Sequence, residues 1–208
     1  MTQKLLAQGA EAKILLEEKN DIIIKDRISK SYRIKQIDDK IRKSRTKSET
    51  KLLEKACRII NAPKPLETHE FNKIEMPFIK GKKLSESLDS FPLKEQKEIC
   101  NKIGQEIAKL HEADIIHGDL TTSNMILTEK NKDEPKIFFI DFGLGYISRK
   151  IEDQAVDLHL LKQALEAKHF KNWKELFASV EKGYKNCKEP NKVLERLEAV
   201  EKRGRYKH

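Results

Sequence analysis

The chain has 208 residues, of which 38% are hydrophobic and 37% charged, with a formal net charge of +9. That is enough apolar material for one large domain or two small lobes sharing a cleft, under a heavily solvated surface. No apolar run is long enough to span a membrane, no signal-peptide core is present, and Cys57, Cys100 and Cys187 fit neither a disulfide framework nor a zinc knuckle. A reduced, cytoplasmic protein with no membrane segment is expected. The positive excess points to an anionic partner, or to a lysine-rich composition with no partner implied.

In chain order, Leu5–Ala7, Lys13–Leu16 and Ile22–Lys25 predict three short strands, with Glu18–Asp21 as the turn between the second and third. Between the first two lies Gln8-Gly9-Ala10-Glu11-Ala12. A loop at this place can lay backbone N–H groups over phosphates, although one glycine alone would also suit an ordinary hairpin turn. Lys25 shares a strand face with Ile23, so its ammonium can enter a cleft and neutralise phosphate charge.

Tyr32 to Ile60 reads as a basic helical region with the apolar stripe Leu52, Leu53, Ala56, Ile59 and Ile60. Glu49 falls on that stripe and Glu54 does not. Glu49 either pairs with Lys25 or closes a capping box, Thr46-Lys47-Ser48-Glu49, at a helix start. The basic stretch begins before Thr46, which favours the ion pair. Ala62-Pro63-Lys64-Pro65 breaks the helix. A strand pair is then expected, ending at Ile74–Gly81. There Met76, Pro77 and Ile79 resemble a kinase hinge, which implies that the Pro77 carbonyl and the Ile79 N–H meet an adenine edge; an edge strand and turn is the alternative.

Leu84 and Leu88 suggest a short helix, and Pro92 the first turn of a longer one with the stripe Ile99, Ile103, Ile107 and Leu110. Next comes His117-Gly118-Asp119-Leu120-Thr121-Thr122-Ser123-Asn124. Asp119 can accept a proton from an attacking hydroxyl or orient a water. Asn124 and Asp141 offer two oxygens to Mg²⁺, which takes its remaining ligands from phosphate and water. His117 reads as a structural histidine holding the loop. Met125–Leu127 and Lys136–Ile140 predict a hairpin, turned by Thr128–Pro135, that delivers Asp141-Phe142-Gly143. Asp157 shares an apolar helical face with Leu160, Leu161 and Ala164 and needs partners; it reads as support for the Asp119 loop. A helix with Trp173, Leu176, Phe177, Val180 and Tyr184 follows, then a last short one with Val193, Leu194, Leu197 and Val200. Residues 201–208 read as a flexible basic tail in which Arg203, Arg205 and Lys207 could reach RNA or a partner.

These motifs, together with Arg45–Glu49, Glu152–Leu158 and Lys202–Arg205, span nearly the whole chain. They closely resemble the small atypical kinase of the KEOPS/EKC complex, the family of the p53-related protein kinase. The Gly9–Ala12 stretch and the His117–Asn124 loop, with Gly118 where kinases usually carry arginine, are the specific parts. The resemblance implies a minimal, bilobal, protein-kinase-like α+β fold. Residues 1–76 would form an N-lobe of antiparallel sheet plus helix, 77–81 a hinge, 82–200 a truncated, mostly helical C-lobe, and 201–208 the tail. It also implies ATP with Mg²⁺ or Mn²⁺ and serine/threonine kinase activity. The role would be mainly that of a partner-stimulated ATPase, required for N6-threonylcarbamoyladenosine at position 37 of tRNA. The implied partners are the threonylcarbamoyl-transferase subunit on the C-lobe side, a small bridging subunit on the N-lobe, and tRNA through the complex and the tail. Pro77 departs from the family's acidic hinge residue. Only fifteen residues separate Asp141 from Asp157, without an Ala-Pro-Glu triplet, so no conventional peptide-docking segment fits and a partner covering the site is expected. Two other readings stand beside this one. A small-molecule phosphotransferase of the aminoglycoside- or sugar-kinase type would need a larger C-lobe. A pseudokinase scaffold would not need Lys25, Asp119, Asn124 and Asp141 together.

Overall fold

The structure, a computed structural model, describes residues 3–128 and 135–204. Strands β1 (Gln3–Gln8), β2 (Ala12–Glu17) and β3 (Ile22–Arg27) run antiparallel in sequence order. Helix α1 (Lys35–Ala56) follows, and β4 (Lys73–Pro77) then completes the sheet beside β3. Cross-strand partners share a face, so Ile14 and Ile74, which flank Lys25, and Met76, opposite Ile23, lie on the face that carries Lys25 and Arg27. Helix α1 covers that face. Leu53 and Ala56 are fully buried, and a buried leucine contributes about 1.5–3 kcal/mol.

Two expectations for this half change. The helix ends at Ala56, so Ile59 and Ile60 lie in the turn beyond it, and the break precedes Pro63. The expected strand pair after the prolines is a single strand, β4; residues 66–72 run beside it without forming a strand, held by the Leu66 N–H to the Glu75 carbonyl at 2.8 Å.

The second half begins with β5 (Gly81–Lys83), α2 (Leu84–Ser87), a 3₁₀ turn at Leu88–Ser90, and α3 (Leu93–Glu112). Pro92 is the cap residue before α3 rather than part of its first turn. The stripe Ile99, Ile103, Ile107 and Leu110 is buried as expected. Short strands β6 (Ile115–Ile116), β7 (Met125–Thr128), β8 (Ile137–Phe139) and β9 (Tyr146–Ile147) frame the catalytic-loop region. Strand β7 lies between β5 and β8, and β6 pairs with β9. The chain closes with α4 (Ile151–Lys168), α5 (Trp173–Tyr184) and α6 (Pro190–Gly204). A side chain at Gly104 would lie 2.0 Å from the Val180 carbonyl oxygen, so glycine there lets α3 and α5 pack backbone to backbone. On α4 the buried stripe is Ala155, Leu158, Leu161 and Leu165; Leu160 and Ala164 are only half-buried. Helix α6 is longer than expected, carrying residues 201–204 of the proposed tail.

One hydrophobic cluster runs through both halves, from Leu52, Leu53, Ile74 and Met76 to Ile103, Phe139, Phe142 and Tyr184. The Phe139 N–H donates to the Asn61 carbonyl at 2.9 Å, tying the segment after α1 to β8. Among the described residues no helix is long and apolar enough to cross a membrane.

Candidate nucleotide and phosphotransfer site

The site is built around Lys25 on β3. Its Nζ lies 2.7 Å from Glu49 Oε1 on α1 and 2.7 Å from Asp141 Oδ1, which follows β8. Glu49 sits well inside α1, whose helical run starts at Lys35, so it closes no capping box and is free to face the sheet. It is 1% exposed, and two cations hold it, because Arg27 Nη2 approaches its Oε2 to 2.5 Å. Arg27 in turn lies 3.9 Å from Glu11 of the glycine loop, which Arg45 of α1 also binds. Arg45, Glu11, Arg27, Glu49, Lys25 and Asp141 thus form one line of alternating charge, from the glycine loop to the Asp-Phe-Gly triplet. The Arg45 guanidinium holds the Glu11 carboxyl below the usual carboxylate range, with Arg27 adding to the pull and partial burial opposing it.

Arg27 was not among the residues singled out from the sequence. Strand alternation was the usable signal, since a residue two beyond Lys25 must share its face. It is buried and its Nε has no hydrogen-bond partner.

The glycine loop is held at its carbonyls. Gly9 N–H closes the turn on the Ala12 carbonyl at 3.0 Å, Ile28 N–H donates to the Glu11 carbonyl at 3.0 Å, and Lys30 Nζ binds the Ala10 carbonyl. The N–H groups of Ala10 and Glu11 have no partner among the described residues, so they remain as donors; Gln8, Gly9 and Ala10 are exposed. At the other side, β4 is an edge strand. Phe78 N–H donates to the Asp21 carbonyl at 2.7 Å and Arg27 N–H to the Asn72 carbonyl at 3.0 Å. Alternation then makes Pro77 a non-hydrogen-bonded partner of Ile22, with its carbonyl, and the Ile79 N–H, directed away from β3. The missing N–H of Pro77 therefore costs no ladder bond. Met76 is buried one residue before.

The catalytic-loop candidates are held from beneath. Asp157 Oδ2 accepts from His117 N–H at 2.8 Å, and Oδ1 from Gly118 N–H at 2.9 Å. His111 Nε2 lies 3.2 Å from the same carboxylate, and its Nδ1 2.8 Å from the Tyr184 hydroxyl. The burial penalty on Asp157 is thus met by several donors. Neither His111 nor Tyr184 stands out in the sequence as a support: Tyr184 reads as core on its helix stripe, and His111 as part of the link from the helix into the loop. His117 is fully buried. Its Nδ1 accepts from Asp119 N–H at 3.3 Å, which leaves Nε2–H to donate to the Ile140 carbonyl at 3.2 Å. Burial pushes its pKa down, against the pull of Asp157, and keeps the ring neutral.

Gly118 explains the missing arginine of the usual His-Arg-Asp. It has φ +78°, and a Cβ there would stand 2.3 Å from the Leu144 carbonyl oxygen. Asp119 follows, half-buried. Its Oδ2 accepts from Asn124 Nδ2 at 2.8 Å, and Oδ1 has no partner among the described residues. The Ile140 N–H to Asn124 carbonyl bond, 2.9 Å, sets Asp141 beside Asn124. Asp141 has φ +62°, a conformation uncommon for a non-glycine residue and typical of functional positions. Phe142, fully buried and 4.5 Å from the His117 ring centroid, anchors it. Burial raises the Asp141 pKa, but Lys25 and the Gly143 N–H outweigh it and hold the carboxyl below its usual range.

The donor set suits a hard divalent cation. Asp141 is an ionised carboxylate whose Oδ2 has no protein partner among the described residues. Asn124 spends its amide nitrogen on Asp119 and keeps its oxygen. Mg²⁺ or Mn²⁺ would be held by these two oxygens, and would bring charge neutralisation to bound phosphates. Of the proposed tail residues, Arg203 Nη2 lies 2.5 Å from Glu152 Oε1 on α4. Arg205 and Lys207 lie outside the described residues.

The RIO domain family matches residues 17–146, the stretch that carries Lys25, Glu49, the catalytic loop and Asp141. The KEOPS complex subunit Bud32 of Pyrococcus abyssi is 44% identical over 98% of this chain and 96% of its own length. The chain belongs to the Bud32 family of RIO-domain proteins. The probable serine/threonine-protein kinase BUD32 homolog of Archaeoglobus fulgidus is 36% identical over 95% of this chain and 94% of its own. A probable bifunctional tRNA threonylcarbamoyladenosine biosynthesis protein of Methanobrevibacter smithii is 41% identical, and there the chain spans 38% of the relative's length. For a Bud32-family member, the α+β architecture seen here is the expected small kinase-like fold.

Proposed function

We propose that this chain is an ATP-dependent phosphotransferase that works mainly as a partner-stimulated ATPase within a KEOPS complex, in threonylcarbamoyladenosine modification of tRNA. The observation that carries the ATP-binding and phosphotransfer part is the Lys25 ammonium held 2.7 Å from both Glu49 and Asp141. A lysine so fixed meets the α- and β-phosphates without having to be ordered first. The free N–H groups of Ala10 and Glu11 cover the phosphates, and the Pro77 carbonyl and Ile79 N–H take the adenine edge. Asn124 and Asp141 hold the metal. Asp119 uses its unpartnered Oδ1 to accept a proton from a water or a hydroxyl, while Asn124 fixes its other oxygen.

The surroundings favour water or a partner-presented hydroxyl over a freely docking peptide. From Phe142 the chain runs through β9 straight into α4 at Ile151, leaving no platform for a peptide. Leu144, Tyr146 and Ile147 are exposed beside the site, an apolar patch that a transferase subunit would cover. Strand β1 is exposed along its whole length at the edge of the sheet, a surface suited to a bridging subunit. A cytoplasmic location fits this role.

The test is ATP hydrolysis by wild type, Asp119→Ala and Asp141→Ala, each with and without the threonylcarbamoyl-transferase subunit. The partner should raise wild-type turnover, and each substitution should lower it by about 10²-fold or more. Equal hydrolysis by all three proteins would overturn the reading, as would partner-independent phosphorylation of a small metabolite.

A further inference from the structure

The positive excess of this chain is concentrated on one helix face. Lys40, Lys43, Lys47, Lys51, Lys55 and Arg58 recur every three or four residues along α1 and just past its end. At 100° per residue they fall within one stripe, opposite Glu49. All six are exposed, and among the described residues none of their side chains has an ion-pair or hydrogen-bond partner. Three acids of α1 are taken by other cations, whereas Glu67, in the groove beside Lys43, Lys47 and Lys51, has no partner among the described residues. Asp38 binds Arg33 and Arg42, Asp39 binds Lys35 and Arg42, and Glu49 binds Lys25 and Arg27. Only Glu54 interrupts the stripe. Near the chain's other basic segment, Arg196 and Arg203 are spent on Glu152 and Lys162 on Glu201, while Lys202 has no partner among the described residues.

We propose that this face of α1 is a binding track for the phosphate backbone of a folded RNA. The stripe from Lys40 to Lys55 is about 22 Å long at 1.5 Å per residue, long enough to follow several nucleotides of one A-form strand. Lysine is depleted at protein–protein interfaces but is a standard partner of phosphate. The stripe carries no aromatic or aliphatic anchor of the kind a protein contact or a membrane-surface helix buries. Its C-terminal half borders a groove of about 600 Å³ whose far wall is Gly145, Tyr146 and Ile147, a few residues beyond Asp141 and part of the apolar patch that a transferase subunit would cover. A backbone on this track would therefore pass close to the nucleotide site. The RNA contact then belongs to α1 rather than to Arg203, which deepens the tRNA part of the proposed function and rests on it.

The test uses the full chain and a tRNA transcript, with affinity measured across a series of salt concentrations. Replacing Lys43, Lys47, Lys51 and Lys55 together by glutamine should flatten the slope of log affinity against log salt by about three to four, one per lost phosphate contact. Helix content should be unchanged by circular dichroism. The same change at Lys94, Lys102, Lys168 and Lys171, four exposed lysines elsewhere, should leave the slope nearly as in wild type. An unchanged slope in the α1 variant, an equal loss in the control, or no salt-dependent binding by wild type would overturn the proposal. So would tighter α1-dependent binding of polyglutamate or of anionic vesicles. ATP hydrolysis that depends on Asp119, read in the same samples, separates failure of this track from failure of the ATPase reading.

Discussion

At the residue scale, Gly118 sets the shape of the His117–Asn124 loop. Its positive φ and its closeness to the Leu144 carbonyl leave no room for a side chain. Gly118→Ala should cost about 1–3 kcal/mol, seen as a fall in Tm of roughly 2–12 °C; an unchanged Tm would contradict the geometry. His117 gives a pH prediction. Its folded pKa lies below the ordinary value, which is about 6.5. As pH falls, the unfolded chain therefore takes up this proton first. The stability that His117 contributes is complete above about pH 6.5 and is lost as pH falls through that value toward the folded pKa. Thermal melts between pH 7.5 and 5 should show this loss, and His117→Gln should remove that part of the slope. An identical acid profile in the variant would refute the assignment. Arg27 is the third case. Arg27→Met leaves Glu49 with Lys25 alone, and weakening a buried charge pair of this kind costs up to about 3 kcal/mol. A Tm as high as wild type would show that the second cation is dispensable.

At the scale of elements, the strands, α1, α3 and the hairpin that delivers Asp141 were legible because each carries its period openly. Ile99, Ile103, Ile107 and Leu110 repeat at helical spacing, and the runs before Gly9 and after Asp21 are short, apolar and punctuated by turn residues. The Lys25–Glu49 pair was legible from position, since Glu49 falls on the apolar stripe of α1. What was not legible depended on tertiary partners. Nothing local marks His111 and Tyr184 as supports of Asp157, because Tyr184 reads as core and His111 as part of the link into the loop. Nothing local ends α1 at Ala56 rather than at Pro63, since Cys57 to Ile60 remain compatible with helix. The strand expected before β4 did not form, since residues 66–72 meet β4 through the Leu66 N–H to Glu75 carbonyl bond and a turn from Glu70 to Lys73, which make no ladder. Arg203 read as part of a loose tail because its partner, Glu152, lies fifty-one residues away in sequence.

At the scale of the whole molecule, the two halves share one core instead of meeting only at a hinge. Leu52 lies against Gly145 beside the Asp-Phe-Gly segment, and Asn61 is bonded to Phe139. The helix that carries Glu49 is thereby tied to the strand that delivers Asp141, and the line of charges from Arg45 to Asp141 crosses between the halves with opposite signs in contact. In the proposed function Lys25 is a prepositioned phosphate contact rather than a structural cation. The affinity of the chain for ATP in the presence of Mg²⁺, wild type against Lys25→Met, tests that directly. Arg27 still neutralises Glu49 in the variant, so the fold is kept. A hydrogen bond to a charged group is worth about 1.5–3 kcal/mol, so binding should weaken by roughly 10- to 150-fold. A folded Lys25→Met protein that binds ATP as tightly as wild type would contradict the account.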